Sequence, residues 1–513
     1  MTFGIIIGAE GMQRWQQQCL RELQEEATLR LVVTQPEPAE SAIERRLRRK
    51  CAAMQTVSHS FAPEVKMSDS VEVDRAAECA EVDFMLCLAS PIPAADRLPP
   101  HGLWYFLSPI GHPDTPTSFW EIAERRSVTE AALCRRMPGT DEHDVLERGV
   151  FRTVLTSYRL SRDNVLSGCV TWPRRACRRL REKQDGMVVR LSGGQPRRVP
   201  GVVRRLAFGF ALFRNYIGAQ LAALFFVDQW NVGWLDSPPE KLLNDQKAGQ
   251  VNWFPALPRQ EFIADPFPIP DGSGEVLVEG FDYRHGRGFL SARDGETGES
   301  RGERLVREHH LSYPVFVRWN DRLYCVPEAA GSAKLEAYAY AEGTLGAAES
   351  WFEEPVFDAT IFEFENRWWM LATRPGRYAD TQLHAWFAEG PQGPWWEHPL
   401  NPLKSDVRSS RPGGSVFQHE DQLYRPAQDC ADTYGGALCI NRVLELTPDS
   451  FQEETVARIS PDPDGQYPDG IHTLSGLGGR WYVDGKRRRF VPVALLNFLG
   501  GKCRRVLKRV TGR

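Results

Sequence analysis

Short apolar runs alternate with helically spaced segments through the first hundred residues. FGIIIGA (3–9) is a continuous apolar run of the kind a buried parallel strand requires. MQRWQQQCLREL (12–23) follows with helical spacing, and LRLVVTQ (29–35) reads as the next strand. VDFMLCLAS (82–90) and LWYFLS (103–108) extend the same sheet. Strands alternating with helices predict a Rossmann-like, doubly wound α/β domain over residues 1–165. The Gly-x-Gly-x-x-Gly phosphate loop is absent, so nothing in the pattern supports a dinucleotide site.

From about residue 223 the period changes to short strands, aromatics and turn residues. Five segments share one layout: ADPFPIPDGSGEVLVEG from 264, SYPVFVRWNDRLYCVPE from 312, DATIFEFENRWWMLAT from 358, RPGGSVFQHEDQLYRPAQD from 411 and IHTLSGLGGRWYVDG from 471. Each joins two strands through a turn containing Gly, Asn or Asp, which is a hairpin signal. They recur about 50 residues apart, the length of a four-stranded propeller blade. The pattern predicts an all-β five-bladed β-propeller over 223–490.

If the first strand of each unit is innermost, its leading residue faces a central channel. Those residues are Asp265, Tyr313, Asp358, Arg411 and His472. A chain that needed only a core would place Val or Ile there, because an unpaired buried charge is costly. The second strands add Glu328, Gln428 and Asp429, with Arg425 just before them. Such a set describes a polar binding site with at least three carboxylates. Taken singly, an Asp before Pro also starts turns, and RPGGS also makes a loop; recurrence in register is what favours a site.

Between the two halves, 166–222 forms a basic linker. TWPRRACRRLREK (171–183) is dense in Arg, and VPGVVRRLAFGFALFRNYIGAQLAALFFV (199–227) is apolar but interrupted by Arg214 and Asn215. An Arg at a bilayer centre costs roughly 2.5–3.5 kcal/mol on insertion scales, which argues against a spanning helix. The segment reads as a packed linker helix or an interfacial amphipathic one. The tail 491–513 belongs to a stretch, KRRRFVPVALLNFLGGKCRRVLKRVTGR (486–513), with ten Lys or Arg and no acid. Basic residues near anionic lipid contribute on the order of 1 kcal/mol each, so an anionic membrane surface is an expected partner beside the alternative of a solvated tail.

Composition narrows the picture. With 42% hydrophobic and 25% charged residues the chain is globular, and a net charge of -4 does not suit a nucleic-acid binder. Eleven cysteines without a CxxC pair fit a reducing compartment. MTFGIIIGAEGMQRW lacks the features of a secretory signal, and the expectation is a cytoplasmic protein, peripheral on the inner face of the membrane.

Two resemblances add to this. HGLWYFLSPIGHPDTPTSFWEIAERRSVTEAAL resembles the N-terminal domain of the formyltransferase family, with Leu107 where that family's catalytic His is expected. It implies a formyltransferase-like scaffold that has lost its chemistry. FIADPFPI, HLSYPVF, VPEAA, FDATIF, SRPGGSVF, LYRPAQDCADTYGG and GIHTLSG resemble the propeller domain of the glucosamine inositolphosphorylceramide transferase family and its bacterial relatives. More distantly, the architecture is similar to five-bladed propeller glycosidases of the arabinanase, xylosidase and invertase type. That similarity implies Asp265 as base or nucleophile, Asp358 as the group that tunes its neighbour's pKa, and Glu328 as acid.

Glycosyl transfer needs carboxylates with separated pKa values around an oxocarbenium-like state. Tyr313, Arg411, Arg425, Gln428, Asp429 and His472 would bind the substrate, the guanidinium groups through planar forks. One His does not make a metal site, and no metal is assigned. The expected function is a glycosyltransferase of cell-surface or exopolysaccharide synthesis. It would take a nucleotide-sugar donor as substrate and a sugar or glycan, lipid-linked in one version, as acceptor. A propeller glycosidase and a non-catalytic glycan-binding scaffold are the alternatives.

Overall fold

A computed structural model describes residues 1–8, 11–35, 53, 55–57, 62, 65–69, 81–89, 92, 98–108, 116–139, 142–182, 189–191, 201–235, 241–243 and 249–491. It divides into two compact units, Met1–Tyr216 and Ile217–Arg513. Most of the basic tail, 492–513, and the linker residues 183–188 and 192–200 lie outside the described residues.

In the first unit, β1 (Thr2–Gly8), β2 (Thr28–Gln35), β3 (Lys66–Asp69), β4 (Phe84–Cys87) and β5 (Leu103–Leu107) pair in parallel, in the order β3-β2-β1-β4-β5. The apolar runs read from the sequence fall on these strands. The Rossmann-like, formyltransferase-like expectation is nevertheless not supported. The next described helix has five residues, Phe119–Ala123, and is followed by β6 (Val128–Arg136), which pairs antiparallel with β5, and β7 (His143–Arg152), which pairs antiparallel with β6. So short a helix cannot serve as the crossover that a further parallel strand demands. The structure as a whole is mostly β, with only 16% helix. Leu107 is buried in the core with Tyr105, Ala132 and Cys134.

Past the end of the helix Val202–Phe225 and a short helical stretch at 241–243, the regular structure among the described residues of the second unit is β. Four antiparallel sheets follow one another along the chain: Glu261–Pro268, Glu275–Asp282, Arg287–Asp294 and Ser300–Leu305; then His310–Trp319, Arg322–Ala330, Leu335–Ala341 and Thr344–Phe352; then Phe357–Phe364, Arg367–Thr373, Gln382–Ala388 and Trp396–Glu397, with Lys404–Asp406 also pairing Gln382–Ala388; and last Phe417–His419, Gln422–Asp429, Ala437–Leu446 and Phe451–Ile459. This is a four-blade propeller-like arrangement, and it corrects the five-bladed expectation. The segment from 471 does not form a fifth consecutive unit. Its hairpin (Leu474–Leu477, Arg480–Phe490) joins Phe226–Leu235 and Val251–Trp253, so that sheet takes strands from both ends of the unit.

The tight turns behave as their residues require. Asn320-Asp321, Glu365-Asn366, Glu420-Asp421 and Gly478-Gly479 all hold positive φ at both central positions, the type I′ geometry that matches strand twist. Between sheets, Trp368, Trp386, Met370, Tyr324 and Trp351 share one buried cluster. Trp369 is buried too, Trp395 packs at the edge of that cluster, and Trp396 is exposed.

Candidate active site

Three of the inner strands carry the same irregularity. The register slips between Ala264 and Phe267, between Ser312 and Val315, and between Phe357 and Thr360. Each slip is a bulge, and the residue within it adopts a left-handed backbone: Asp265 at φ 51°, Tyr313 at 47° and Asp358 at 49°. For non-glycine residues this costs of order 1–3 kcal/mol, and such strain persists only where the surroundings impose it.

The surroundings are carboxylates. The Asp265 N–H donates to Asp484 Oδ2 (3.1 Å), the Tyr313 N–H to Asp265 Oδ2 (3.2 Å) and the Asp358 N–H to Glu328 Oε2 (3.0 Å). Thr473 donates its hydroxyl to Asp265 Oδ1 at 2.8 Å, and the N–H groups of His472 and Thr473 both donate to Asp484 Oδ1. His472 Nδ1 lies 2.6 Å from Asp484 Oδ2 and its Nε2 lies 3.7 Å from Asp265 Oδ1. Trp230 stacks on the imidazole at 4.0 Å, and Tyr434 meets it edge-on.

Arg411 forms the other side. Its Nε is 2.6 Å from Asp358 Oδ2, its Nη1 3.0 Å from Asp380, and its Nη2 3.8 Å from Glu328. Gln428 donates to Asp358 Oδ2 at 2.7 Å and to the Pro412 carbonyl. The Tyr313 hydroxyl meets Thr360 Oγ1 and accepts from the Gly414 N–H at 2.6 Å. Close backbone packing accounts for the Gly-Gly of SRPGGSVF. A Cβ on Gly414, at φ 123°, would fall 1.9 Å from the Leu474 carbonyl oxygen.

Seven of the nine residues singled out from the sequence therefore enter one linked network: Asp265, Tyr313, Glu328, Asp358, Arg411, Gln428 and His472. Arg425 and Asp429 are engaged elsewhere. Arg425 makes a two-pronged pair with Glu453 (2.7 and 3.0 Å) and donates to the Ser409 and Ser410 carbonyls. Asp429 accepts from the Ala431 N–H and from Arg458 Nε at 2.7 Å. Both tie loops to strands.

Sequence reasoning missed Asp484, Glu279, Asp380 and Thr473. Glu279 is buried near Asp265 and lies 3.2 Å from His310 Nε2. Glu279 pairs across the strands with Ala264 just as Glu328 pairs with Ser312, each beside a bulge. An acid in the apolar contexts VLVEG and WYVDG was the available signal.

Burial, reinforced by Asp358 and Asp484 and opposed by His472, pushes Asp265 up to about 6. Burial and the charge of Asp358 raise Glu328 well above the ordinary carboxylate range against the pull of Arg411. Burial and the neighbouring acids, Asp265 first, raise Glu279. For His472, burial favours the neutral ring, but the Asp484 carboxylate outweighs it and the net shift is upward. Asp265, His472 and Asp484 bring one nitrogen and two oxygen donors within 4.8 Å of one another, and among the described residues they are the group that could hold a metal ion. The network can keep one acid protonated and another ionised in a dry, preorganised setting, which is what general acid–base work needs.

Residues 288–466 match the family described as glucosamine inositolphosphorylceramide transferase 1, N-terminal. Over 217 residues the chain is 32% identical to glucosamine inositolphosphorylceramide transferase 1 of Oryza sativa subsp. japonica, covering 38% of this chain and 28% of that protein. This chain is homologous to the plant transferases. With the Arabidopsis thaliana protein of the same name, identity is 29% over 213 residues, covering 38% and 27%. The match thus spans less than a third of the length of these relatives. The matched stretch holds Tyr313, Glu328, Asp358, Arg411 and Gln428, while Asp265, His472 and Asp484 flank it. Among solved structures, Zg3597, a family 117 glycoside hydrolase of Zobellia galactanivorans, is similar at 12% identity and TM-score 0.32, covering 51% of this chain and 91% of that one. The exo-β-1,3-galactanase of Phanerochaete chrysosporium gives 9% and 0.31, covering 39% and 53%. Likeness at this level carries no functional inference.

Proposed function

We propose that the second unit is a carbohydrate-active centre that transfers a glycosyl group to a glycan or lipid-linked acceptor. One observation carries the reading: a buried network in which Asp265 is shifted to about 6 and Glu328 well upward, with Asp358 and Arg411 between them. Homology to proteins named as inositolphosphorylceramide transferases supports a lipid-linked acceptor. In this reading Asp265, ionised above about pH 6, is base or nucleophile. Glu328, kept protonated by burial and by Asp358, is the acid, and Asp358 sets its pKa while bound to Arg411. The donor is a nucleotide sugar, and the work is done in the cytoplasm at the inner face of a membrane, in surface polysaccharide synthesis.

A second reading, a non-catalytic glycan-binding unit, draws on a different observation: both oxygens of Asp265 and the Oδ2 of Asp358 are already engaged by internal donors. One experiment separates them. Wild type and Asp265→Asn are offered a panel of nucleotide sugars with lipid-linked and free glycan acceptors, and turnover and binding are measured together. The expected result is turnover in the wild type and a loss of about 10²–10⁴-fold in the variant. Sugar binding without turnover in the wild type, or near-full turnover in the folded variant, puts the binding reading ahead.

A further inference from the structure

The helix Val202–Phe225, α-helical over 24 residues, has no buried residue anywhere along it. One side has partners. Phe208 stacks on Phe119 at 4.3 Å, Leu212 packs on the same cluster, and Asn215 donates to the Leu155 carbonyl. Counting about 100° per residue, these three point the same way. Val203, Leu206, Phe210, Phe213, Ile217 and Leu221 recur every three or four residues on the opposite side. They are open to solvent: 81% for Val203, 71% for Leu206, 67% for Phe210 and 63% for Phe213.

The charges around this stripe decide what it fits. Between 202 and 225 there is no acidic residue, while Arg204, Arg205 and Arg214 are present. By the same angular count Arg214 borders the stripe, while Arg205 lies nearer the packed side. Two copies meeting stripe to stripe would offer these arginines no acidic partner from the helix, so self-association gains no charge complementarity. A surface apolar below and anionic above complements both features. Among the described residues no helix is long and apolar enough to cross a membrane, and a helix with exposed aromatics and a basic rim is suited to lie in the interface plane. The geometry points to this helix as an in-plane docking element for an anionic phospholipid surface. It is independent of the chemistry in the second unit's network, and it differs from the basic tail, whose residues 492–513 are not described.

The test is sedimentation of the full chain with phosphatidylcholine vesicles, with and without phosphatidylglycerol, for wild type and Phe210→Ser/Phe213→Ser. Serine removes apolar area without adding charge. Circular dichroism and melting of the variant should match wild type, since both rings are exposed. The expected result is binding that requires phosphatidylglycerol and weakens between 0.1 M and 1 M salt, as the Debye length falls from about 10 Å to about 3 Å. In the variant it should fall by at least about tenfold. The proposal is overturned if wild type ignores the vesicles, or if the folded variant binds as tightly, which assigns the lipid contact to the tail. It is also overturned if sedimentation velocity shows a dimer that the variant abolishes without any vesicle binding, which assigns the stripe to a second copy.

Discussion

Replacing Arg425 by methionine should destabilise the second unit without touching a sugar site. Arg425 is fully buried and grips both oxygens of Glu453, which Lys404 also reaches at 2.8 Å. Burial alone would raise the Glu453 carboxyl, but Arg425 and Lys404 overcome it and hold the group at about 2 against an ordinary 4.5. A shift of that size corresponds to about 3 kcal/mol at roughly 1.4 kcal/mol per pH unit. Breaking a buried pair from one side typically costs 3–5 kcal/mol, which agrees. For a domain of a few hundred residues the midpoint should drop on the order of 10 °C. The sign with pH follows from the depressed pKa. The pair's contribution is complete above about 4.5 and is lost as pH falls toward 2, so the gap between wild type and variant should be widest near neutrality and should close in acid. Thermal unfolding followed by tryptophan fluorescence at several pH values measures this. A difference below about 1 kcal/mol at neutral pH, or a variant that melts normally and loses only glycan affinity, would refute the assignment of Arg425 to structure.

Two further outcomes are expected. The pH profile of turnover should rise through about pH 6 as Asp265 ionises, while stability moves the other way. Its raised pKa favours the fold below about 4 and that contribution is lost as pH climbs through 6, so parallel activity and melting profiles check the sign. Gly414→Ala should destabilise the fold by on the order of 2–4 kcal/mol and lower the melting midpoint accordingly, because a Cβ there meets the Leu474 carbonyl at 1.9 Å and backbone cannot step aside; an unchanged melt would show that the loop relaxes.

The strands of the first unit were readable because a strand buried on both faces is a continuous apolar run, and β1, β4 and β5 are such runs, while β2 keeps an apolar LVV at its centre. Direction was not readable from the run itself. The clue lay in β6 and β7, VTEAALCRR and HDVLERGVFR, which mix polar and apolar residues as half-exposed antiparallel strands do, and in the brevity of the helix before them. In the second unit, local hairpins were legible from their turn residues. Which distant strand completes a sheet was not: Arg480–Phe490 pairs with Phe226–Leu235, and no local pattern announces that choice. The same limit explains Arg425. Its Glu453 partner sits in FQEETVARI, among acids that look solvent-facing, and only the folded sheet shows which one turns inward.

The network residues were legible as a set for a physical reason that the bulges make plain. A bulge turns one side chain out of the strand's alternation and leaves its N–H without a ladder partner. That N–H then needs an acceptor, and here each acceptor is a carboxylate from another strand: Asp484 for Asp265, Asp265 for Tyr313, Glu328 for Asp358. Strained backbone and buried acid thus require one another. The acid satisfies the amide, and the amide with its neighbours makes the buried acid tolerable. Asp265 stands on both sides of this relation, as a strained residue and as an acceptor, with its two oxygens divided between Thr473 and Tyr313. It follows that changing Asp265 perturbs Tyr313, and through the Tyr313 hydroxyl the Gly414 turn next to Arg411. Whatever chemistry the network performs, its acids are coupled through backbone as well as through charge.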